Sequence, residues 1–563
     1  MGIEKIDACH SYQNIPQYSW QNIDESNSVK QSSTRLKLFQ INKMEVSKMT
    51  LEPLKVSKTH SFMTVSLIEL WERFGYYGMQ ALIVYFMVQR LGFGDSRANL
   101  VWSACAALIY VSPAIGGWVG DRILGTKRTM LLGAGILSLG YALMTVPTEN
   151  TWFLFLALGV VVVGNGLFKP NAGNLVRKIY EGDDSKIDSA FTIYYMAVNV
   201  GSTFSMLLTP WIKDYVNANY GNELGWHAAF AVCFVGLLVG LGNYAMMRKT
   251  LVNYGSEPDT RPVEMNKLLI ILLLIVLSVV ASAFILEYED VARAFVYTAG
   301  VAGLGVFFYL IRNSETSERA GLIAALVLTL QTVFFFIFYQ QMSTSLALFA
   351  LRNVDWNFQA LGVPLWTWSP AQFQALNPIW IMLLSPLLAW VYAAAGRNNK
   401  DISIAAKFAL GFAVVALGFF IYSFAGMFAI NGKTSSWVMI WGYGAYSLGE
   451  LLVSGLGLAM ISRYVPERMG GFMMGVYFVA LGISQYLGGV VANFASVPEN
   501  ITNPLETLPI YTNLFFNLGI AALVCTVIAL TVLPLMRRLT EIHHSHNTNN
   551  DVNNASGRVG SGQ

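Results

Sequence analysis

Between Phe62 and Met536 the chain is a succession of apolar stretches of about twenty residues or more, and this repetition limits the possible fold more than any single motif does. The stretches fall near 62–91, 98–119, 128–147, 151–176, 188–212, 226–247, 266–286, 291–311, 320–351, 371–396, 402–428, 436–462, 468–496 and 511–536. About 20 apolar residues wound as a helix cover the roughly 30 Å of a bilayer's hydrocarbon core, so each can cross. Composition agrees, with 55% hydrophobic and 12% charged residues, where soluble domains carry about 25% charged. The expected fold is an all-α polytopic membrane protein with fourteen transmembrane helices, an even number that places both termini on one side.

Charge placement sets which side. Arg122, Lys127, Arg128, Arg177, Lys178, Lys186, Arg248, Lys249, Lys267, Arg312, Arg319, Arg397, Lys400, Arg463, Arg468, Arg537 and Arg538 fall at alternate connections. The opposite connections hold few bases and the acidic run Glu287-Tyr288-Glu289-Asp290. By the positive-inside bias both termini are cytoplasmic, and the expected location is the cell (inner) membrane. The net charge of +3 is too small to indicate a nucleic-acid partner.

The long basic connection from Arg248 to Lys267, with Pro258 and Pro262, separates six spans from two, and Arg312 to Arg319 precedes the last six. The expected organisation is a polar cytoplasmic N-terminal extension (1–58), a six-helix bundle (59–250), a linker with an inserted helix pair (251–315), a second six-helix bundle (316–540) and a polar cytoplasmic tail (541–563). The inserted pair reads as a lipid-facing brace. No apolar core of a cleavable signal follows Met1. Cys105, Cys233 and Cys525 sit within apolar runs and Cys9 in the polar extension, without C-x-x-C spacing, so neither disulfide nor zinc site is expected. The His543-His544-x-His546 tract reads as a solvated tail.

Within the first span, Glu69, Glu72, Arg73, Tyr76, Tyr77 and Gln80 recur at helical spacing and form one polar stripe on an otherwise apolar helix. An ionised side chain at mid-bilayer costs roughly 2.5 kcal/mol or more unless it pairs or lines water. A structural i, i+4 pair accounts for Glu69 and Arg73 but leaves Glu72 and the tyrosines unexplained. The run Glu-x-x-Glu-Arg-Phe-x-Tyr-Tyr-Gly resembles the first-helix signature of the proton-dependent oligopeptide transporters, a branch of the major facilitator superfamily. That resemblance implies two six-helix bundles related by pseudo-symmetry, with the inserted pair found in prokaryotic members.

Further motifs extend the resemblance. Gly116-Gly117-Trp-Val-Gly120-Asp121-Arg122-Ile-Leu-Gly125-Thr-Lys127-Arg128 is similar to the superfamily loop between helices two and three. There Gly117, Asp121, Arg122, Lys127 and Arg128 are implied to hold the cytoplasmic gate, and the same bases serve equally as topology anchors. Lys169, a lone cation in the fourth span, matches a helix-four lysine of the family; an interfacial snorkelling lysine is the alternative. Phe191-Thr-Ile-Tyr194-Tyr195-Met-Ala-Val-Asn199 resembles the fifth-helix signature, with Asn199 as peptide-bond ligand or as interhelical glue. Tyr339-Gln340-Gln341-Met-Ser343 and Phe373-Gln374-Ala-Leu-Asn377-Pro378 match cavity-lining positions, with Gln341 and Asn377 as ligands, Asn377 at the peptide's amino end. Gln340 departs from relatives that carry a carboxylate there, and Tyr477 from those with Trp-Phe. Glu450 and Ser454, in the twelfth span, complete the expected site, Glu450 facing Lys169 and Arg73.

The expected proton-coupling groups are Glu69, Glu72, Arg73, Lys169 and Glu450. Three acids against two bases leave one surplus negative charge, which one proton neutralises. Arg73 and Lys169 suit a peptide's carboxylate, Glu450 its ammonium, and Tyr76, Tyr77, Tyr110 and Asn199 the amides between. The implied function is proton-coupled import of di- and tripeptides by alternating access, with the lipid bilayer and protons as partners and no cofactor. Two alternatives stand: the same fold carrying nitrate, an amino acid or a drug, and a peptide-sensing receptor. No Ser/His, Cys/His or metal-ligand constellation occurs inside the spans, which argues against an enzyme.

Overall fold

The computed structural model describes residues 57–221, 223–360, 362–397 and 402–559. The expected N-terminal extension, apart from Ser57 and Lys58, lies outside these residues, as does Lys400. The chain is helical almost throughout: α1 (Lys58–Gln89), α2 (Asp95–Leu124), α3 (Thr126–Met144), α4 (Thr151–Ile179), α5 (Asp184–Tyr220) and α6 (Leu224–Met247) form the first half. Then come α7 (Met265–Glu287) and α8 (Glu289–Asn313). The second half holds α9 (Glu318–Asn353), α10 (Leu376–Arg397), α11 (Ile404–Phe424), α12 (Trp437–Val453), α13 (Leu456–Tyr464), α14 (Glu467–Ala492) and α15 (Pro504–Val559). A short antiparallel hairpin, β1 (Asn357–Ala360) and β2 (Val363–Thr367), stands between α9 and α10.

Among the described residues, eleven helical stretches are long and apolar enough to cross a membrane by length and composition alone. The other three of the expected fourteen each have a visible cause. Helix α1 carries Glu69, Glu72 and Arg73, α3 opens on Lys127 and Arg128, and the twelfth span breaks between Val453 and Leu456 into α12 and α13. In hydrocarbon each backbone N–H and C=O must be satisfied within the protein, and helices do this locally. The backbone of the expected tail continues α15 as far as Val559.

Within the first half α3 packs on α4, α1 on α5 and α6, and α2 on α4; within the second α11 packs on α12 and α15, and α9 on α14 and α15. The α2–α4 crossing is close because it is made by glycines: a Cβ on Gly116 would strike the carbonyl of Gly166. The inserted pair joins both halves. Helix α7 lies against α4, where a Cβ on Gly159 would stand 2.7 Å from the Val279 carbonyl, and α8 lies against α14. Most of its residues, such as Leu273, Val276, Val301 and Phe308, are exposed, as lipid-facing residues would be.

One end of the molecule, here the hairpin end, is drawn shut. Arg352 at the foot of α9 meets Asp95 at the head of α2 through two bonds, Nη1 to Oδ2 at 2.6 Å and Nη2 to Oδ1 at 2.8 Å. Asp95 also accepts from Val497 N at 3.1 Å, and Arg352 donates to the Tyr511 hydroxyl at 2.5 Å. Further bonds between the halves run from Tyr85 to the Ala347 carbonyl (2.9 Å), Gln372 to Leu207 (2.8 Å), Gln374 to Ala81 (3.2 Å) and Trp102 to Ser343 (3.0 Å).

Candidate functional site: a charged cavity between the halves

The polar stripe of α1 forms because its members recur every three or four residues, so a single helical face carries them all. Arg73 is the hub. Its Nε lies 3.2 Å from Glu69 Oε1 and bonds Glu72 Oε2, and all three side chains are buried. Asn165 of α4 donates to the second oxygen of Glu72 at 3.3 Å. Among the described residues, Arg73 Nη2 and Glu69 Oε2 have no hydrogen-bond partner. A cation and an anion, each with one buried atom unused, make this a place that can receive a polar ligand.

Lys169 of α4 is exposed in the middle of an apolar helix, with its ammonium 5.4 Å from the centre of the Tyr110 ring. The guanidinium of Arg73 lies 5.2 Å from the Tyr76 ring centre, and Tyr76 meets Tyr77 edge to face at 5.2 Å. Cation–π contacts of this kind hold a positive charge in place without neutralising it.

The opposite wall belongs to the second half. Asn377, at the start of α10, donates to Glu450 Oε2 at 2.7 Å and to Ser447 Oγ at 3.1 Å, so two expected ligands from different helices form one unit. The break in the helix after α12 leaves Ser454, half-buried, one turn from Glu450. Tyr77 and Tyr110 are both within electrostatic range of Arg73 and of Glu450. The two charged clusters thus have tyrosine neighbours in common. Tyr195 and Tyr339 lie near Glu450, Tyr77 and Tyr110 as well, and had not been singled out as ligands.

Three expected residues are turned otherwise. Gln341 is fully buried in helix packing: its Nε2 donates to the carbonyls of Ile337 (3.1 Å) and Gly488 (2.9 Å), and its Oε1 accepts from Ser345 (2.7 Å). Asn199 donates back to the Tyr195 carbonyl of its own helix at 2.8 Å. Tyr477 is buried with its hydroxyl against Gly457, where no side chain larger than hydrogen fits. At Gln340, where the family resemblance implies a carboxylate, the amide donates to Ser103 of α2 at 3.2 Å, an uncharged link between the halves.

The loop ahead of α3 holds the linker that follows α6. Gly125 (φ +101°) brings the backbone into the left-handed region at the start of α3, where a Cβ would meet Asp259. Asp259 accepts from Lys127 N at 3.2 Å and Arg128 N at 3.4 Å, capping the helix and opposing the positive end of its dipole. Lys127 Nζ donates to Leu251 O (3.0 Å) and Arg128 to the carbonyls of Pro258 (2.9 Å) and Arg261 (2.7 Å). Asp121 accepts from Asn174 at 2.7 Å, Arg122 is exposed, and Gly117 faces Pro170 at 3.5 Å from where its Cβ would be. Lys127 and Arg128, two of the three bases expected at the gate, are therefore bonded to the linker. The linker's role in holding them carried no sequence signal beyond Asp259 itself, one acid in an otherwise ordinary loop.

Known proteins resemble most of this chain. A model of the POT family matches residues 127–511. Dipeptide and tripeptide permease A of Erwinia pyrifoliae is 40% identical over 482 residues, covering 85% of this chain and 95% of that protein. Dipeptide and tripeptide permease B of Aliivibrio fischeri is 41% identical over 482 residues, with the same coverage of each. A crystal structure of tetrameric PepTSo2 is similar at a TM-score of 0.80 and 81% identity, covering 86% of this chain and 100% of that one. A peptide transporter POT in complex with sulfate gives a TM-score of 0.70 at 28% identity, over 85% of this chain and 95% of that one. With the family model spanning well over half its length and relatives matched nearly end to end, this chain is a multi-pass membrane protein of the POT family.

Proposed function

We propose that the chain imports di- and tripeptides in symport with protons by alternating access between its halves. The observation that supports this reading is a pair of charged clusters with tyrosine neighbours in common: Arg73 and Lys169 in the first half, the Glu450–Asn377 unit in the second. A peptide zwitterion offers a carboxylate, an ammonium and amides in that order. The names of the similar permeases and of PepTSo2 agree with such a cargo.

Proton coupling follows from charge. Glu69, Glu72 and Glu450 against Arg73 and Lys169 leave one surplus negative charge, and a proton balances it while a neutral zwitterion is aboard. Each cycle then carries one positive charge inward, worth about 2.3 kcal/mol per 100 mV of membrane potential. The acid pair on α1 shares Arg73, so protonation of either acid leaves that guanidinium freer to take the peptide carboxylate.

The hairpin end faces outward and the linker end faces the cytoplasm, in keeping with the basic connections. The clasp at the outer end and the exposure of Lys169 both suit a cytoplasm-open arrangement. Residues 59–250 and 316–540 move as the two bodies, and 251–315 tie them together. Glu450 favours a zwitterion over an anion such as nitrate, since an anion has no use for a second carboxylate wall. Counterflow of labelled dialanine into proteoliposomes tests the cargo: exchange against unlabelled dialanine but not nitrate is expected, and exchange driven by nitrate alone would reject it.

A further inference from the structure

A second cavity of about 320 Å3 lies between the halves at the hairpin end. Trp211 and Trp226 wall it from the first half, and Trp356 and Trp368 from the second. Lys213 and Asp214 also line it, with Nζ 2.5 Å from Oδ1 and 4.9 Å from the centre of the Trp226 ring. None of these residues belongs to the charged cavity described above. Two further lining residues, Tyr85 and Gln372, are the donors of bonds that join the halves.

The lining specifies a ligand chemistry. Indole faces attract both aromatic rings and cations. The Lys213 ammonium can take a carboxylate, and Asp214, half exposed, can take an ammonium. Its volume lies within the roughly 300–1,000 Å3 of small-molecule sites, which favour interfaces between moving bodies. A molecule with one carboxylate, one ammonium and an aromatic group answers every feature. Resting on the transport reading, we infer that this cavity is a second binding site for short peptides bearing an aromatic side chain, and that filling it holds the outer end shut.

The second half of that inference follows from where the walls come from. If the halves swing apart at this end, Trp211 and Trp226 leave Trp356 and Trp368, and the site ceases to exist. A ligand that binds only the closed arrangement raises its population by a factor of one plus the ligand concentration over Kd. At ten times Kd the outer end opens about tenfold less often. Uptake of an aromatic peptide from outside therefore rises with concentration and then falls, while dialanine, lacking the ring, saturates simply.

Titration of the detergent-solubilised Arg73→Ala protein with phenylalanyl-alanine, followed by indole emission, tests the site apart from the central cavity. A saturable change is expected there, lost when Trp211→Ala or Asp214→Asn is added. Trp211 and Asp214 are both about half exposed, so neither change unpacks the core. Emission that does not respond in Arg73→Ala, or a response untouched by both second changes, overturns the inference. In wild-type proteoliposomes the fall in uptake at high phenylalanyl-alanine is expected to disappear with Trp211→Ala. Should the transport reading alone be wrong, uptake fails in every variant while the emission titration keeps its pattern.

Discussion

Asp95→Asn isolates the outer clasp, because it keeps the shape of the side chain and removes one charge of the bidentate pair. Asp95 is buried and Arg352 is 22% exposed, so the guanidinium left behind is mostly out of water. Removing one partner of a buried hydrogen-bonded charge pair costs about 2–5 kcal/mol, much of it from stranding the other charge. The low end of that range applies, since Arg352 keeps its bond to Tyr511 and some contact with solvent. In the outward-open arrangement the two residues separate and hydrate, so the substitution costs little there. A differential of about 2–3 kcal/mol lowers the ratio of outer-closed to outer-open protein by roughly 30- to 150-fold. Spin labels at Asn219 and Lys433, both exposed at the hairpin end, report this as a new long-distance population in pulsed electron–electron resonance, in a background with the native cysteines replaced. A distance distribution unchanged by Asp95→Asn would refute the view that this pair helps hold the end shut.

Glu450→Ala is expected to weaken peptide binding about 10- to 100-fold, the range for losing one hydrogen bond to a charged group, with competition against labelled dialanine as the measurement. Glu450→Gln can keep a link to Asn377, so an equal loss in that variant, with normal folding, assigns the effect to the charge. Asp259→Ala removes the cap on α3 and the acceptor that organises the linker, and a loss of about 1–2 kcal/mol should appear as a lower unfolding midpoint in detergent. Unchanged stability there would mean the linker holds by its carbonyl contacts to Lys127 and Arg128 alone.

Much of this was legible in the sequence, because membranes leave few options. Apolar runs of helical length gave the spans, and the cost of burying Glu69, Glu72 and Arg73 in hydrocarbon marked α1 as functional. The same reasoning singles out Lys169 and Glu450, lone charges in apolar helices, as candidates. What stayed hidden depends on distant partners. Asp95 and Arg352 lie 257 positions apart, each at a helix end where a charge is unremarkable. Gln341 and Asn199 sit in the expected motifs, yet an amide on a helix can turn toward the cavity or toward a neighbouring carbonyl, and spacing does not choose. The aromatic cavity of the hairpin end is assembled from five separate segments, so no single stretch of sequence announces it.

Uptake of labelled dialanine into proteoliposomes under an imposed acid-outside gradient bears most directly on the whole account. Wild-type protein is expected to accumulate peptide against its gradient, whereas Glu69→Gln with Glu72→Gln should still exchange peptide but no longer respond to the proton gradient. Accumulation that ignores the gradient in the wild type, or a doubly substituted protein that remains fully proton-driven, would contradict it.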